Sequence, residues 1–108
     1  MRIKKADFIG NGKPTIFYFH SKHCQYCDGM TPLVERLAQV DSSRTIVQVE
    51  LDRQTYDGID YHSPVGEQFD IHSVPSFAVY DANGQLLAQG KEAKPLVRQI
   101  MFEKKVAN

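Results

Sequence analysis

The stretch PTIFYFHS, residues 14–21, constrains the fold more than any other part of this sequence. It follows Gly12, is rich in β-branched and aromatic side chains, and is apolar on both faces as far as Phe19. A strand without a polar face is buried on both sides, which is typical of a mainly parallel sheet covered by helices. The sequence therefore predicts an α/β protein with this strand inside a central sheet.

The residues after this strand change to a helical period. Five side chains recur at that spacing: Cys27, Met30, Val34, Leu37 and Ala38. They predict a helix over about residues 24–40, and Pro32 inside it should kink it. Residues 44–52, RTIVQVELD, predict a second buried strand, and the polar stretch 53–63 predicts a loop.

The second half of the chain predicts a short helix, a hairpin and a closing helix. Ser63 followed by Pro64 is a helix start, and that helix should end near Asp70. SFAVYD and QLLAQG flank Asn83-Gly84, which is typical of a hairpin turn. KPLVRQIMFEKK should close the chain as an amphipathic helix. Its inward side chains should be Leu96, Val97, Ile100 and Met101.

The element order is therefore β–α–β–α–β–β–α, which predicts a mixed central sheet flanked by helices in a single domain over residues 1–108. The 13 basic and 13 acidic residues give no net charge, so we expect no nucleic acid and no anionic membrane as partner. No run approaches the roughly 20 apolar residues of a membrane span. The basic start MRIKKADFIGNGKP lacks the apolar run of a secretory signal. The chain as given is expected in the cytoplasm, with a bacterial periplasm as the alternative if it was trimmed.

Both cysteines of the chain, Cys24 and Cys27, fall at the start of the first predicted helix. Free N–H groups and the helix dipole favour an anion there, which should stabilise a thiolate at Cys24. Cys27 follows about one turn later, close enough for the two sulfurs to bond. A cysteine pair beside a βαβ pattern indicates redox chemistry, with Cys24 as nucleophile and Cys27 as resolving thiol. A purely structural disulfide is disfavoured because so short a loop adds little stability.

A metal site is the alternative that the same residues leave open. Its candidate ligands are His20, His23, Cys24 and Cys27, with His62 or His72 in reserve. Structural zinc sites usually draw their ligands from two pairs about 12 to 20 residues apart, and here one cysteine pair stands alone. We therefore expect no metal and no cofactor beyond the cysteine pair. A copper-, zinc- or thiol-binding module stays as the second hypothesis.

Residues 14–104 resemble a thioredoxin-fold domain in three features at matching intervals. These are HCQYC, a proline eight positions after the first cysteine (Pro32), and HSVPSF just before the hairpin. The resemblance implies a redox-active disulfide in HCQYC and a cis peptide bond before Pro75. It also implies that the backbone of Val74 pairs with an extended substrate segment. We expect a monomer that exchanges electrons with protein thiols and disulfides through a mixed disulfide, and a recycling partner that resets it.

The chain departs from thioredoxins proper around the cysteines, so it is similar to no standard subclass. Thioredoxins carry Trp-Cys-Gly-Pro-Cys, where this chain has HCQYC. They also keep a buried Asp and a Lys at the positions that hold Tyr18 and Gln48 here. The usual proton acceptor for the buried thiol is therefore missing, and Glu50, Asp28 or a water are the candidate replacements.

Two side chains of the motif are candidates for contact with substrate. A protonated His23 would favour the Cys24 thiolate and oxidising behaviour, and Tyr26 offers a hydroxyl or a flat surface to substrate. For His23 a plain exposed side chain is an equal alternative, and for Tyr26 it is the slightly favoured one. In the loop after the second strand, Tyr56, Tyr61 and His62 predict either a recognition surface or a tolerated insertion.

Overall fold

The strand that constrains the sequence lies inside a four-stranded sheet. The computed structural model describes residues 2–106. Its elements in chain order are a 3-10 turn (Lys5–Asp7), β1 (Thr15–His20), α1 (Gln25–Val40), β2 (Thr45–Glu50), α2 (Pro64–Gln68), β3 (Ser76–Tyr80), β4 (Leu86–Gln89), a second 3-10 turn (Gly90–Glu92) and α3 (Ala93–Glu103). The strand order is β2-β1-β3-β4, with β1 parallel to β2 and the other two pairs antiparallel. The predicted mixed sheet flanked by helices is confirmed.

The side chains of β1 alternate between two apolar cores, one on each face of the sheet. Ile16 and Tyr18 face α1 and α3, and Phe17 and Phe19 face α2 and the N-terminal segment. The rings of Phe17 and Phe19 lie 5.2 and 4.8 Å from that of Phe69. Each fully buried side chain of this size contributes about 1.5–3 kcal/mol, so β1 is held from both sides.

The second predicted strand is only half-buried, so the prediction of full burial over residues 44–52 is wrong. β2 is an edge strand in which Val49 is buried while Gln48 and Glu50 are exposed. An edge strand has a neighbour on one side only, and its other side meets solvent. A β-branched run in the sequence does not distinguish an edge strand from a central one.

The two long helices bury most of the predicted side chains. α1 buries Val34 and Leu37 but leaves Ala38 exposed, because one further residue turns the side chain about 100° around the axis. α3 buries Val97, Ile100 and Met101, and Leu96 is partly buried. Among the helices of residues 2–106, none combines the length and the apolar character that crossing a membrane requires.

The connections follow the predicted turn chemistry with small shifts. Ser63 caps α2 by accepting a hydrogen bond from the N–H of Gly66 at 3.1 Å, and the helix ends at Gln68, short of the predicted Asp70. The hairpin turn is present, with Gly84 at a φ of 87°. A carboxylate oxygen of Asp81 accepts two backbone hydrogen bonds across this turn, both 2.9 Å long.

Two glycines give a matched test of packing. A Cβ on Gly66 would lie 2.7 Å from the backbone oxygen of Tyr61, whereas a Cβ on Gly29 in α1 would meet nothing within 4 Å. We expect Gly66→Ala to lower the free energy of unfolding by about 1–3 kcal/mol. Gly29→Ala should raise it by about 0.5–1 kcal/mol. Urea denaturation measures both, and a Gly66→Ala protein as stable as wild type would contradict the close packing.

Candidate functional site

The two cysteines lie at the carboxyl end of β1, where α1 begins. Their sulfurs are bonded, and their Cα atoms are 5.2 Å apart, within the usual range for a disulfide. Cys24 is the N-cap residue of α1, and its Sγ accepts a hydrogen bond from the N–H of Cys27 at 3.1 Å. This position usually holds a Ser or Asp oxygen, which accepts the same bond. In the reduced protein a Cys24 thiolate would be stabilised by that donor and by the helix N-terminus.

A proline loop lies against the cysteine at the helix start. The Val74–Pro75 peptide bond is cis, as the resemblance implied. The carbonyl oxygen of Val74 is 3.6 Å from Cys24 Sγ. Cys24 and Cys27 are only 5% and 2% exposed, so both sulfurs are almost completely covered.

The two other motif residues predicted to contact substrate lie at the surface. Tyr26 is 83% exposed, and His23 is exposed as well. The backbone N–H of His23 donates to Ser21 Oγ at 3.0 Å. Over residues 2–106 neither side chain has a hydrogen-bond partner, so both are available to a second molecule.

Tyr18 is fully buried, with its hydroxyl against the first turns of α1. Its hydroxyl donates to the carbonyl oxygen of Cys27 at 3.3 Å and lies 2.9 Å from Thr31 Oγ1. Burial raises the pKa of the Tyr18 phenol, the negative charge of Asp28 adds to this, and the hydrogen bond with Thr31 opposes it. The phenol therefore stays protonated at neutral pH and does not act as a base.

Three further residues are relevant to the missing proton acceptor, and all three lie at the surface: Gln48, Glu50 and Asp28. Gln48, at the position where thioredoxins carry the Lys, is the partner of Tyr18 across the β1–β2 ladder and is exposed. Glu50 and Asp28 are exposed too, and neither hydrogen-bonds a cysteine sulfur within the described chain. Within the described chain, none of these three side chains therefore takes the place of the buried Asp.

The loop before the cysteines is fastened by Asp52, which sequence reasoning missed. Its carboxylate accepts hydrogen bonds from Ser21 Oγ at 2.7 Å and from the N–H of Lys22 at 3.2 Å. It also accepts from the N–H of Asp60 at 2.8 Å. A signal was present, because Asp52 follows β2 and Ser21 follows β1, and the carboxyl ends of neighbouring parallel strands meet at one edge.

The same network orders part of the loop at residues 53–63. Asp60 is fully buried and accepts hydrogen bonds from Arg53 Nε at 2.7 Å and from its Nη2 at 3.2 Å. The hydrogen bond from the Arg53 side chain lowers the pKa of the Asp60 carboxyl against the opposing effect of burial. Of the three predicted recognition residues, Tyr56 and His62 are exposed, but Tyr61 packs against the core. Arg53 and Asp60 thus tie this loop to the cysteine loop through Asp52.

The candidate metal ligands do not converge. Within residues 2–106 no three His, Cys, Asp or Glu side chains form a group that could hold an ion. His62 and His72 instead lie beside α2, next to Glu67 at 3.7 Å and Asp70 at 2.8 Å.

A groove of about 360 Å³ runs beside the proline loop. Its lining residues are Tyr26, Gly29, Met30 and Leu33 of α1, Val74 and Pro75, and Lys94 and Arg98 of α3. A second cavity of about 370 Å³ lies along β2 and includes neither Val74 nor Pro75 in its lining. We take the groove beside the proline loop as the candidate binding surface because its lining includes Val74, whose carbonyl oxygen is 3.6 Å from Cys24 Sγ.

Comparison with known proteins gives a family and a fold. A family model described as a thioredoxin-like domain matches residues 1–103. The exposed lipoprotein thioredoxin of Streptococcus pneumoniae is 18% identical, with a TM-score of 0.67 over 94% of this chain and 90% of that one. The oxidised thioredoxin of Plasmodium falciparum is 25% identical, with a TM-score of 0.62 over 95% and 89%. Thioredoxin O2 of Arabidopsis thaliana is 17% identical, with a TM-score of 0.65 over 92% and 81%. No curated protein matches the chain.

His20, which lies next to Tyr18 at the end of β1, makes the free energy of unfolding depend on pH. Its ring stacks on Tyr18 at 5.2 Å, and burial lowers the pKa of His20 below 6.5 against the opposing charges of Glu50 and Asp52. The unfolded chain therefore binds a proton that the folded chain does not. The free energy of unfolding should fall as the pH falls from about 6.5 through the folded-state pKa.

Urea denaturation at several pH values, together with NMR titration of the ring protons, measures this effect. His20→Gln should flatten that part of the profile, whereas His72→Gln, at an exposed imidazole, should retain it. A His20 ring that titrates at or above about 6.5 would contradict the assigned burial.

Proposed function

We propose, from the premise that this chain belongs to the family of thioredoxin-like domains, that its cysteine pair exchanges electrons with disulfides and dithiols of other proteins. Thiol–disulfide oxidoreductase chemistry in general follows from that family and from the bonded Cys24–Cys27 pair. The protein substrates and the mixed-disulfide route are our proposal. The observation that carries it is the position of Cys24, whose sulfur caps α1 and lies against the Val74–Pro75 loop.

The reductive direction runs in two exchanges. The Cys24 thiolate attacks one sulfur of a substrate disulfide, which forms a mixed disulfide and releases the other substrate sulfur as a thiolate that takes a proton from water. Cys27 then loses its proton and attacks Cys24 Sγ, which releases the second substrate thiol. Two electrons have moved to the substrate, and Cys24 and Cys27 are left bonded. Reversal of the same steps oxidises a substrate dithiol.

The division of roles between the sulfurs follows from their surroundings. Cys24 receives a backbone hydrogen bond at the helix N-terminus, which favours its thiolate. Cys27 is the third residue of α1 and is the more buried of the two cysteines. A substrate therefore meets Cys24 first, and Cys27 attacks only from within the protein.

Val74 and Pro75 supply the surface on which a substrate segment would lie. The carbonyl of Val74 points toward Cys24, and its N–H has no hydrogen-bond partner over residues 2–106. An extended segment pairing with this backbone would carry its cysteine to Cys24 Sγ, as in strand addition. His23 and Tyr26, which are exposed beside Cys24, would flank that segment.

The proton of Cys27 has to leave by another route than in thioredoxins proper. Tyr18 stands where those proteins keep a buried Asp, and its raised pKa keeps it protonated. Water at the surface of the site accepts the proton in our proposal. Resolution of the mixed disulfide is therefore slower than with an internal base, which contributes about 10²–10⁴-fold in enzymes.

Substitution of each cysteine tests the roles. Cys24→Ser should abolish the catalysed part of insulin disulfide reduction and leave the rate of dithiothreitol alone. Cys27→Ser should still attack but accumulate the mixed disulfide, which mass spectrometry detects as a covalent adduct. Reduction that survives Cys24→Ser would contradict the proposal, and so would an adduct on Cys24→Ser rather than on Cys27→Ser.

Tyr18→Phe tests the proton route. It removes a hydroxyl that bonds the Cys27 carbonyl and Thr31 but no sulfur. We expect a loss of about 1 kcal/mol in the free energy of unfolding. The single-turnover rate of mixed-disulfide resolution should stay within about twofold. A fall of about a hundredfold in that rate would identify the phenol as the proton acceptor and contradict its assignment as a neutral group.

A further inference from the structure

We propose, resting on the proposed function, that Lys94 and Arg98 make the groove beside the proline loop select protein segments that carry an acidic side chain near the reacting cysteine. The groove has an apolar wall formed by Met30 and Leu33 of α1. Val74 and Pro75 line it at the side of Cys24, and the two cations line it from α3.

The two cations act on the same side of the groove. Lys94 and Arg98 are four residues apart in α3, so they lie one turn apart on one face of the helix. Over residues 2–106 neither is within 4.0 Å of a carboxylate. The pair therefore presents two positive charges to whatever occupies the groove.

Among residues 2–106, no acidic side chain lines the groove to balance the pair. Asp28 precedes Gly29 in α1 but does not line the groove. The formal net charge of the whole chain is zero, so there is no general attraction for anions. Any preference for an acidic segment has to arise locally, from Lys94 and Arg98.

The occupant that fits is an extended segment of another protein. The N–H of Val74, which is unpaired within residues 2–106, can donate a hydrogen bond to a backbone carbonyl of that segment. The apolar wall at Met30 and Leu33 can pack against one of its apolar side chains. A carboxylate two residues from the substrate cysteine lies on the same side of an extended segment as that cysteine. It would reach the cations while the cysteine meets Cys24.

The expected size of the effect follows from its exposure. Lys94 is partly buried and Arg98 is exposed, so each contributes as a surface charge. Two such ion pairs are expected to change a rate constant by about five- to tenfold at low salt and by less as salt rises.

Pre-reduced protein and three disulfide-linked peptide dimers test the selection. The peptides differ at one position, two residues from the cysteine, which holds Glu, Gln or Lys. We expect the second-order rate constant to fall in that order, with about a five- to tenfold span between Glu and Lys at low salt. The double variant Lys94→Gln/Arg98→Gln should remove most of that span.

A matched control removes the same charges elsewhere. Lys13→Gln/Arg36→Gln changes an exposed Lys before β1 and an exposed Arg late in α1, neither of which lines the groove. It should keep the wild-type span. Thermal unfolding of both double variants checks that the fold is retained.

Each outcome bears on one proposal. Equal rates for the three peptides with wild-type protein would overturn the acidic selection and leave the proposed function intact. No reduction of any peptide or of insulin would overturn the proposed function itself. A span that persists in Lys94→Gln/Arg98→Gln would overturn the assignment of the selection to these two cations.

Discussion

The burial of β1 on both faces is the constraint on which the rest of the structure depends. Phe17 and Phe19 fix the strand to one core, and Ile16 and Tyr18 fix it to the other. Because neither face is free, the strand has one position in the sheet, and the chain that leaves its carboxyl end starts at a fixed point. The cysteine loop and the first turn of α1 inherit that position. A reactive sulfur needs such a rigid support if it is to meet a partner in one fixed geometry.

The carboxyl end of β1 and the cysteine loop are joined to the neighbouring loop by polar contacts at this edge of the sheet. Asp52 connects the loop before the cysteines to the next loop along the edge, and Asp60 with Arg53 extends the connection. Asp60 is fully buried, and the hydrogen bonds from Arg53 replace the water that its carboxylate has lost, which makes the buried charge tolerable. The loop after β2 therefore holds the cysteine loop in place in addition to contributing exposed side chains.

The fold was predictable from local patterns, and the site was predictable in part. The apolar run before the cysteines, the period of α1 and the Asn83-Gly84 turn each report on a few neighbouring residues, and these predictions are confirmed. The edge position of β2 was not predictable, because a β-branched run does not say which strands lie beside it. The contact of Asp52 with Ser21, and the closeness of Lys94 and Arg98 to the proline loop, depend on tertiary packing between distant segments.

Tyr18 has a consequence for the electrochemistry of the pair. In the described chain no carboxylate hydrogen-bonds a cysteine sulfur, and the neutral phenol of Tyr18 stands where thioredoxins keep a buried Asp. Only the two thiols then take up protons on reduction, so the half-reaction consumes two protons while both stay protonated and one proton once Cys24 is a thiolate. Its midpoint should therefore fall by about 59 mV for each pH unit below the pKa of the Cys24 thiol and by about 30 mV above it, without a further bend from a buried carboxylate. The residues around the cysteine pair therefore add no proton uptake of their own to its reduction.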